Sequence, residues 1–352
     1  MTSPSDNRFI IGVDLGGTNI RVGALSEDGT RQVAIRSIPT MRELGSEGVI
    51  ARIVELGERC IAETMELTGA TRRDFLGVGI GAPGPLDRAA GVVRVAPNLG
   101  WREVPLREMV AAGLDLPTAL DNDANCATLG EWWLGAARGS RHVLGLTIGT
   151  GIGGGLVLDG RLFHGASDLA GEVGHMTIHA TGRRCACGNY GCLEAYASGP
   201  AIAERAREAL EGGEESALPS IVDGDTSRIT AEIVYGAAHD GDPLAREIVR
   251  ETAQYLGTGV ANLLNIINPE VVVIAGGVTR AGDAVFEPLR AEVRRRAFRP
   301  AVEVCRIVPA VLPGTAGLVG AVAMFRAAHA QKTATTRVIP SSRVAWTSIE
   351  SA

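Results

Sequence analysis

Three cysteines and a histidine stand at a spacing that suits a metal. His175 is followed ten residues later by Cys185-Ala-Cys187 and then by Cys192, and two glutamates, Glu172 and Glu194, flank the set. Three thiolates and one imidazole complete a tetrahedron and leave no position for water, the ligand set of a structural zinc rather than a catalytic one. The metal would pin a loop that holds Glu172 and Glu194. Reactive or buried thiols are a poor account of three cysteines within eight residues. His175 alone would read as an ordinary core or surface histidine, and His179 is a weaker rival for the fourth position. His142, His164, His239 and His329 have no partner pattern and read as surface residues.

Two glycine turns have a different capability. Asp14-Leu15-Gly16-Gly17-Thr18 places a carboxylate at the end of an apolar run, then glycines whose N–H groups can approach an anion, then a hydroxyl donor. Mg2+ near Asp14 and phosphate oxygens on the turn would follow, although so short a motif also fits a plain hairpin. Gly149-Thr150-Gly151, with Gly153 to Gly155 behind it, has the same capability, and glycine this dense weakens a strand unless something must come close. The two turns together favour a nucleoside triphosphate between them. Gly276-Gly277, after the apolar run Val271 to Ala275, would let a base or ribose lie against bare backbone. Neither glycine run has the dinucleotide spacing GxGxxG, which disfavours a dehydrogenase. Asn122-Asp123 falls where a strand meets a helix, the edge at which open α/β sheets present catalytic groups. Asp123 would take the proton of a substrate hydroxyl and Asn122 would add a hydrogen bond, but from this segment alone a helix N-cap is the simpler reading. Asp121 and Asp14 are rivals for the base.

These residues need an α/β frame to hold them. Phe9 to Asp14 and Ile20 to Leu25 read as a strand pair across the first glycine turn, with a third strand at Gln32 to Ile38. Gly45 to Met65 has helical spacing, Leu76 to Ile80 reads as a strand, and Val104 to Ala112 as an amphipathic helix. A short strand at Pro117 to Leu120 leads to Asn122-Asp123, with a helix expected over Ala127 to Gly135. A shift of 133 positions aligns Gly12, Asp14 and Gly16 with Gly145, Thr147 and Gly149, so His142 to Leu158 repeats the opening hairpin. Helices are expected at Pro200 to Leu210 and over Ile233 to Asn268, broken at Gly241-Asp242-Pro243. Gly212 to Arg228 reads as loop, Val302 to Val308 as a last strand, and a terminal helix runs to about Ala330. A duplicated α/β fold with a cleft between halves follows, with a lobe boundary near Pro117.

Composition narrows the chemistry further. The 34 Lys and Arg against 40 Asp and Glu give a net charge of -6, which offers no basic face to a nucleic-acid backbone. Lys332 is the chain's one lysine, so a P-loop lysine or a catalytic Schiff base is excluded from the fold. Phosphate must be met by backbone N–H, metal or arginine. No apolar run approaches the roughly 18 to 20 residues of a membrane span, and Met1 to Arg8 has no signal-peptide character. A cytoplasmic protein without membrane or nucleic-acid partners is expected.

With these motifs in order, the chain resembles the ROK family of sugar kinases and repressors, and within it the bacterial glucokinases, from about Phe9 to Ala330. The carriers are DLGGT at 14–18, NDAN at 122–125, TIGTGIGGG at 147–155, EVGH at 172–175 with CACGNYGCLE at 185–194, and AGGV at 275–278. The resemblance implies an actin-like or hexokinase-like ATPase fold in two lobes: residues 1–117, rejoined by a terminal helix of about 316–330, and residues 118–315 with the zinc loop. A disordered tail is expected at 331–352. It also implies ATP-dependent phosphorylation of a hexose at the 6-hydroxyl, with glucose the first choice, by a homodimer. Fructose, mannose and N-acetylated amino sugars present overlapping hydroxyl patterns, and polyphosphate is an alternative donor. Residue by residue, Asp123 becomes the catalytic base. Asn98, Asn122, Glu172, His175 and Glu194 become sugar contacts, and His175, Cys185, Cys187 and Cys192 zinc ligands. Asp14, Gly16, Gly17, Thr18, Gly149, Thr150, Gly151, Gly276 and Gly277 become the Mg-ATP site. Asn19 stands where the glucokinases often carry a lysine. A repressor of the family would need a winged-helix domain ahead of Phe9, for which the chain has no room, so a sugar-sensing regulator is the lesser expectation.

Overall fold

The computed structural model describes residues 7–312 and 314–336. The chain opens with three strands, β1 (Phe9–Leu15), β2 (Asn19–Ser26) and β3 (Gln32–Pro39), and a helix, α1 (Gly45–Thr68). After β4 (Phe75–Ala82) come β5 (Leu86–Asp87), β6 (Val92–Ala96), β7 (Trp101–Val104), α2 (Leu106–Leu114), β8 (Thr118–Asn122) and α3 (Asp123–Trp133). The second half starts with β9 (Val143–Ile148), β10 (Ile152–Leu158) and β11 (Arg161–Leu162), then α4 (Glu194–Ala197), α5 (Gly199–Glu211), α6 (Leu218–Ile221), α7 (Ala231–His239) and α8 (Pro243–Ile267). It ends with β12 (Val271–Gly276), α9 (Asp283–Arg296), α10 (Arg299–Val304), β13 (Arg306–Pro309) and α11 (Ala316–Thr336).

Two five-stranded sheets have one topology, β3-β2-β1-β4-β8 and β11-β10-β9-β12-β13. In each, the first three strands pair antiparallel and the other two join in parallel. The hairpins match the 133-residue repeat: Leu15 pairs with Ile20 and Ile148 with Ile152, so the second glycine turn is one residue shorter. β1 and the first four residues of β12 are almost wholly buried, as befits strands covered on both faces. On the first sheet, α1 buries Val49, Ile53, Leu56, Cys60 and Thr64 at three- and four-residue spacing. The other face is covered by α11, the end of the described chain. Gly79 lets the Ala321 carbonyl approach, since a Cβ there would lie 1.9 Å from it. The second core gathers β9, β10 and β12 with α5, α7, α8 and α9.

The structure corrects or completes the sequence expectations at five places. The helix expected from Ala127 starts at Asp123, because Asn122 caps it. The strand expected over Val302 to Val308 is divided: Pro300 in the first turn and an Arg299–Glu303 pair make α10 of its front half, and only Arg306–Pro309 joins the sheet. The loop expected over Gly212 to Arg228 contains α6. The strands β5, β6 and β7 form a separate antiparallel sheet that the sequence reading left unassigned. The terminal helix runs on to Thr336, so the tail expected at 331–352 begins inside it, and residues 337–352 lie outside the described residues. Among the described residues no helix is long and apolar enough to cross a membrane.

Candidate active site

The parallel strands β1, β4 and β8 end side by side, with Asp14 paired to Gly81, and Gly81 to Asp121. This is the strand edge where open α/β sheets bind ligands. Asn122 then leaves the strand in extended conformation, and its Oδ1 accepts from the N–H groups of Ala124 at 2.9 Å and Asn125 at 3.2 Å. The cap turns the chain so that Asp123 becomes the first residue of α3. It also commits Asn122 Oδ1 to the backbone at the start of α3.

Asp121 and Asp123 lie in opposite environments. The Asp121 side chain is fully buried, and its Oδ1 accepts from Asn122 N–H at 2.8 Å and Asn125 Nδ2 at 3.0 Å. Its Oδ2 lies 2.8 Å from His164 Nε2 and 2.9 Å from Arg88 Nε. Burial alone would raise this carboxyl, but the His164 bond and charge, Arg88 and Asn125 outweigh it and hold the pKa below the ordinary value. His164 is therefore a partner of a buried carboxylate and not the surface residue that the sequence suggested. Among the described residues, the Asp123 carboxylate takes no hydrogen bond from another side chain; Ala124 N–H donates to its Oδ1 at 2.8 Å. Burial pushes its pKa up to about 6, and the negative charges of Asp14 and Glu172 add to the rise. Asp14 is raised as well, by burial, against the opposing charge of Arg21, whose Nη1 stands 3.8 Å away.

The first glycine turn is held from below. Thr40, fully buried, donates its hydroxyl to the Gly16 carbonyl at 2.7 Å and its N–H to the Thr18 carbonyl at 2.8 Å. A Cβ on Gly17 would lie 2.9 Å from Asn98 Nδ2, so Asn98 rests on this turn. Thr18, Gly149, Thr150 and Gly277 all line one cavity of about 1360 Å³, which also takes in Gly199 and Pro200 at the start of α5. The two turns and the segment after β12 thus face the same space. Gly276 has a different reason: it holds φ +100°, and a Cβ there would lie 2.0 Å from the Ile148 carbonyl oxygen, so glycine is what lets β12 lie against β9. Gly151 likewise makes room for a carboxylate, since a Cβ would lie 2.5 Å from Glu194 Oε2.

Glu194, at the start of α4, accepts the Ile152 N–H at 2.9 Å and so joins the second hairpin to the cysteine loop. The donor atoms of His175, Cys185, Cys187 and Cys192 all lie within 4.8 Å of one another. Cys187 and Cys192 Sγ are 3.8 Å apart, and His175 Nδ1 is 3.8 Å from Cys185 Sγ. A tetrahedron with metal–sulfur bonds of about 2.3 Å has edges of about 3.8 Å, so the four groups fit a zinc-sized ion. His179 is exposed and is not one of the four. Glu172 immediately precedes the turn Val173–His175; burial raises its carboxyl, with His175 opposing and Glu194 adding. The residues that sequence reasoning missed are Arg88, His164 and Asp168. They sit in loops without motif character, and only the buried Asp121 between them reveals their connection.

Two sheets of one topology that share a ligand cleft define the actin-like ATPase fold. Within that class the chain belongs to the ROK family, which it matches over residues 10–328. It is 37% identical over 315 residues to a glucokinase of Halalkalibacterium halodurans, covering 89% of this chain and 94% of the relative. The crystal structure of a ROK family glucokinase from Streptomyces griseus in complex with glucose and AMPPNP is similar at a TM-score of 0.76 and 36% identity, covering 90% of this chain and 98% of that one. A xylose repressor of Caldicellulosiruptor bescii is 35% identical over 317 residues, 90% of this chain and 77% of the repressor.

Proposed function

We propose that the protein transfers the γ-phosphoryl group of ATP to the 6-hydroxyl of glucose, with Asp123 accepting the hydroxyl proton. The observation that carries this reading is the contrast between two neighbouring carboxylates. Asp121 is saturated with partners, whereas Asp123 has lone pairs to spare and a pKa of about 6, near neutrality, where a general base works best. A sugar hydroxyl is a poor nucleophile, and in a loose phosphoryl-transfer transition state its proton leaves late, so the base acts chiefly by orienting the oxygen.

Donor and acceptor occupy opposite sides of Asp123. The triphosphate belongs in the cavity where Thr18 and Thr150 offer hydroxyls and the glycine turns offer N–H groups. Asp14 is the carboxylate for a magnesium ion: its raised pKa and the negative Asp123 beside it are conditions a divalent cation relieves. That ion supplies charge neutralisation to the phosphates. The sugar belongs on the other side, among Asn98, the amide nitrogen of Asn122, Glu172, His175 and Glu194. His175 can serve two masters, since its Nδ1 faces the thiols and Nε2 is left for a hydroxyl. Zinc in the Cys3His set would hold that ring and the two glutamates in place.

The similarity to the Streptomyces griseus glucokinase complex supports glucose and an adenine nucleotide as ligands. The likeness to a xylose repressor supports a second reading, a sugar sensor that binds without turnover. A coupled assay with a panel of hexoses and with ATP and polyphosphate as donors separates the two. ATP-dependent glucose phosphorylation that disappears in Asp123→Asn supports the kinase. Sugar binding by calorimetry with no turnover on any hexose would establish the sensor.

A further inference from the structure

Asp168 holds φ +59°, a left-handed backbone that costs any residue with a Cβ, and it does so in the loop that joins β11 to Glu172. What holds it there is on the other side of the sugar cleft. Asp168 Oδ2 accepts the Arg88 N–H at 3.1 Å, and Oδ1 lies 3.7 Å from Arg88 Nη1. Arg88 stands on the turn between β5 and β6. That turn is rigid: Arg107 Nη1 donates to the Arg88 and Ala89 carbonyls at 3.1 Å, and Nη2 to Ala90 at 2.9 Å. The same Arg88 reaches Asp121 with Nε, and Asp121 meets His164, six residues after β10. Ala170 N–H closes the loop onto the His164 carbonyl at 3.1 Å.

We propose that Arg88, Asp168 and His164 are positioning residues for the acceptor sugar: they clamp the loop that leads to Glu172 onto the small sheet that leads to Asn98, and both onto β8, the strand that leads to Asp123. The clamp rests on the reading of this cleft as a sugar site. It touches neither the cavity that both glycine turns line nor the cysteine cluster. Loss of the clamp therefore acts on the sugar and spares the donor. A loop that can swing free must be ordered by the sugar itself, and the ordering entropy appears as weaker binding.

Asp168→Gly is the decisive variant, because glycine accepts φ +59° without strain, and that relief offsets part of what the lost Arg88 contacts and glycine's freedom in the unfolded chain cost. The expected result is a glucose Kd, measured calorimetrically without nucleotide, raised about tenfold. The KM for ATP and the kcat at saturating glucose stay within about twofold of wild type, and Tm stays within about 3 °C. Asp168→Asn, which tolerates the same backbone and keeps an acceptor for the Arg88 N–H, falls between, at about threefold. Unchanged glucose affinity in Asp168→Gly overturns the clamp. So does a rise in both substrates' KM together with a lower Tm, the signature of a merely structural link. Wild-type protein that binds none of the hexoses overturns the sugar reading itself, and the clamp with it.

Discussion

Asp121 and Asp123 are the same residue type two positions apart, and their surroundings give them different work. Asp123 is an acid whose folded pKa lies above its ordinary value of 3.8, at about 6. The folded chain therefore holds that proton more tightly than the unfolded chain, and stability falls as pH rises from about 4 through about 6. Two outcomes follow. Asp123→Asn should lose about 10² to 10⁴ in kcat while glucose still binds, and at pH 7 to 8 it should melt above wild type, the difference vanishing below pH 4. The wild-type kcat/KM should climb with pH through about 6 as the base deprotonates; a flat profile from pH 5 to 8 would remove Asp123 from that role. Asp121 runs the other way, its pKa held low by His164 and Arg88 over the cost of burial. Asp121→Asn removes the buried charge that faces His164 and the part-exposed Arg88, which keeps Asp168 as a partner, and should cost about 1 to 3 kcal/mol in denaturant unfolding, with a far smaller effect on kcat than Asp123→Asn.

At the scale of elements, two adjacent glycines after β12 make a clean comparison. Gly276→Ala must place a methyl 2.0 Å from the Ile148 carbonyl at φ +100°, whereas a Cβ on Gly277 meets nothing within 4 Å and points into space on the cavity wall. Gly276→Ala should cost about 2 to 4 kcal/mol. Gly277→Ala should leave Tm within about 2 °C and raise the KM for ATP, since the cavity is what it fills. The sequence showed both glycines as one motif for a base or ribose, and could not separate them, because only strand pairing tells which glycine packs on β9. The same limit explains α3. Asp123 was legible as a candidate from its place after a strand, but the helix start needed the cap geometry of Asn122. The cysteine loop was the most legible element, since metal ligands announce themselves by residue type and spacing. Removal of its metal should loosen the segment from Glu172 to Glu194. A chelator strong enough to strip zinc, or Cys187→Ser, is expected to lower Tm and raise the KM for glucose more than that for ATP. Elemental analysis that finds no zinc in protein purified without chelator would end that account.

For the whole molecule, the first sheet is completed by the last described helix. α11 crosses β1 and β4 and lies against α3, and the approach is so close that a Cβ on Gly12, Gly79, Gly130 or Gly320 would press on backbone of a neighbouring element. The duplication was visible in the sequence through the spacing shared by the two hairpins, because a hairpin is local. The return of α11 was not visible as a contact, because nothing in a helical pattern names the sheet it will cover. Its consequence is that the first half cannot reach its final packing until α11 has docked, which ties both halves into one cooperative unit. Gly320 is the sharpest test. A Cβ there would lie 1.6 Å from the Cys126 carbonyl oxygen, in the helix that begins at Asp123. Gly320→Ala must therefore push α11 and α3 apart, and should cost on the order of 4 kcal/mol, in the range reserved for overpacked cores, while displacing the base as well. Gly69→Ala supplies the control: it too replaces a glycine, at φ +72°, but with nothing within 4 Å of the new methyl, so only the backbone penalty of about 1 kcal/mol remains. Denaturant unfolding of the two variants should separate them by several kcal/mol, with a single transition in each. Equal losses in the two would mean that glycine's backbone freedom, and not the contact of α11 with α3, is what position 320 requires.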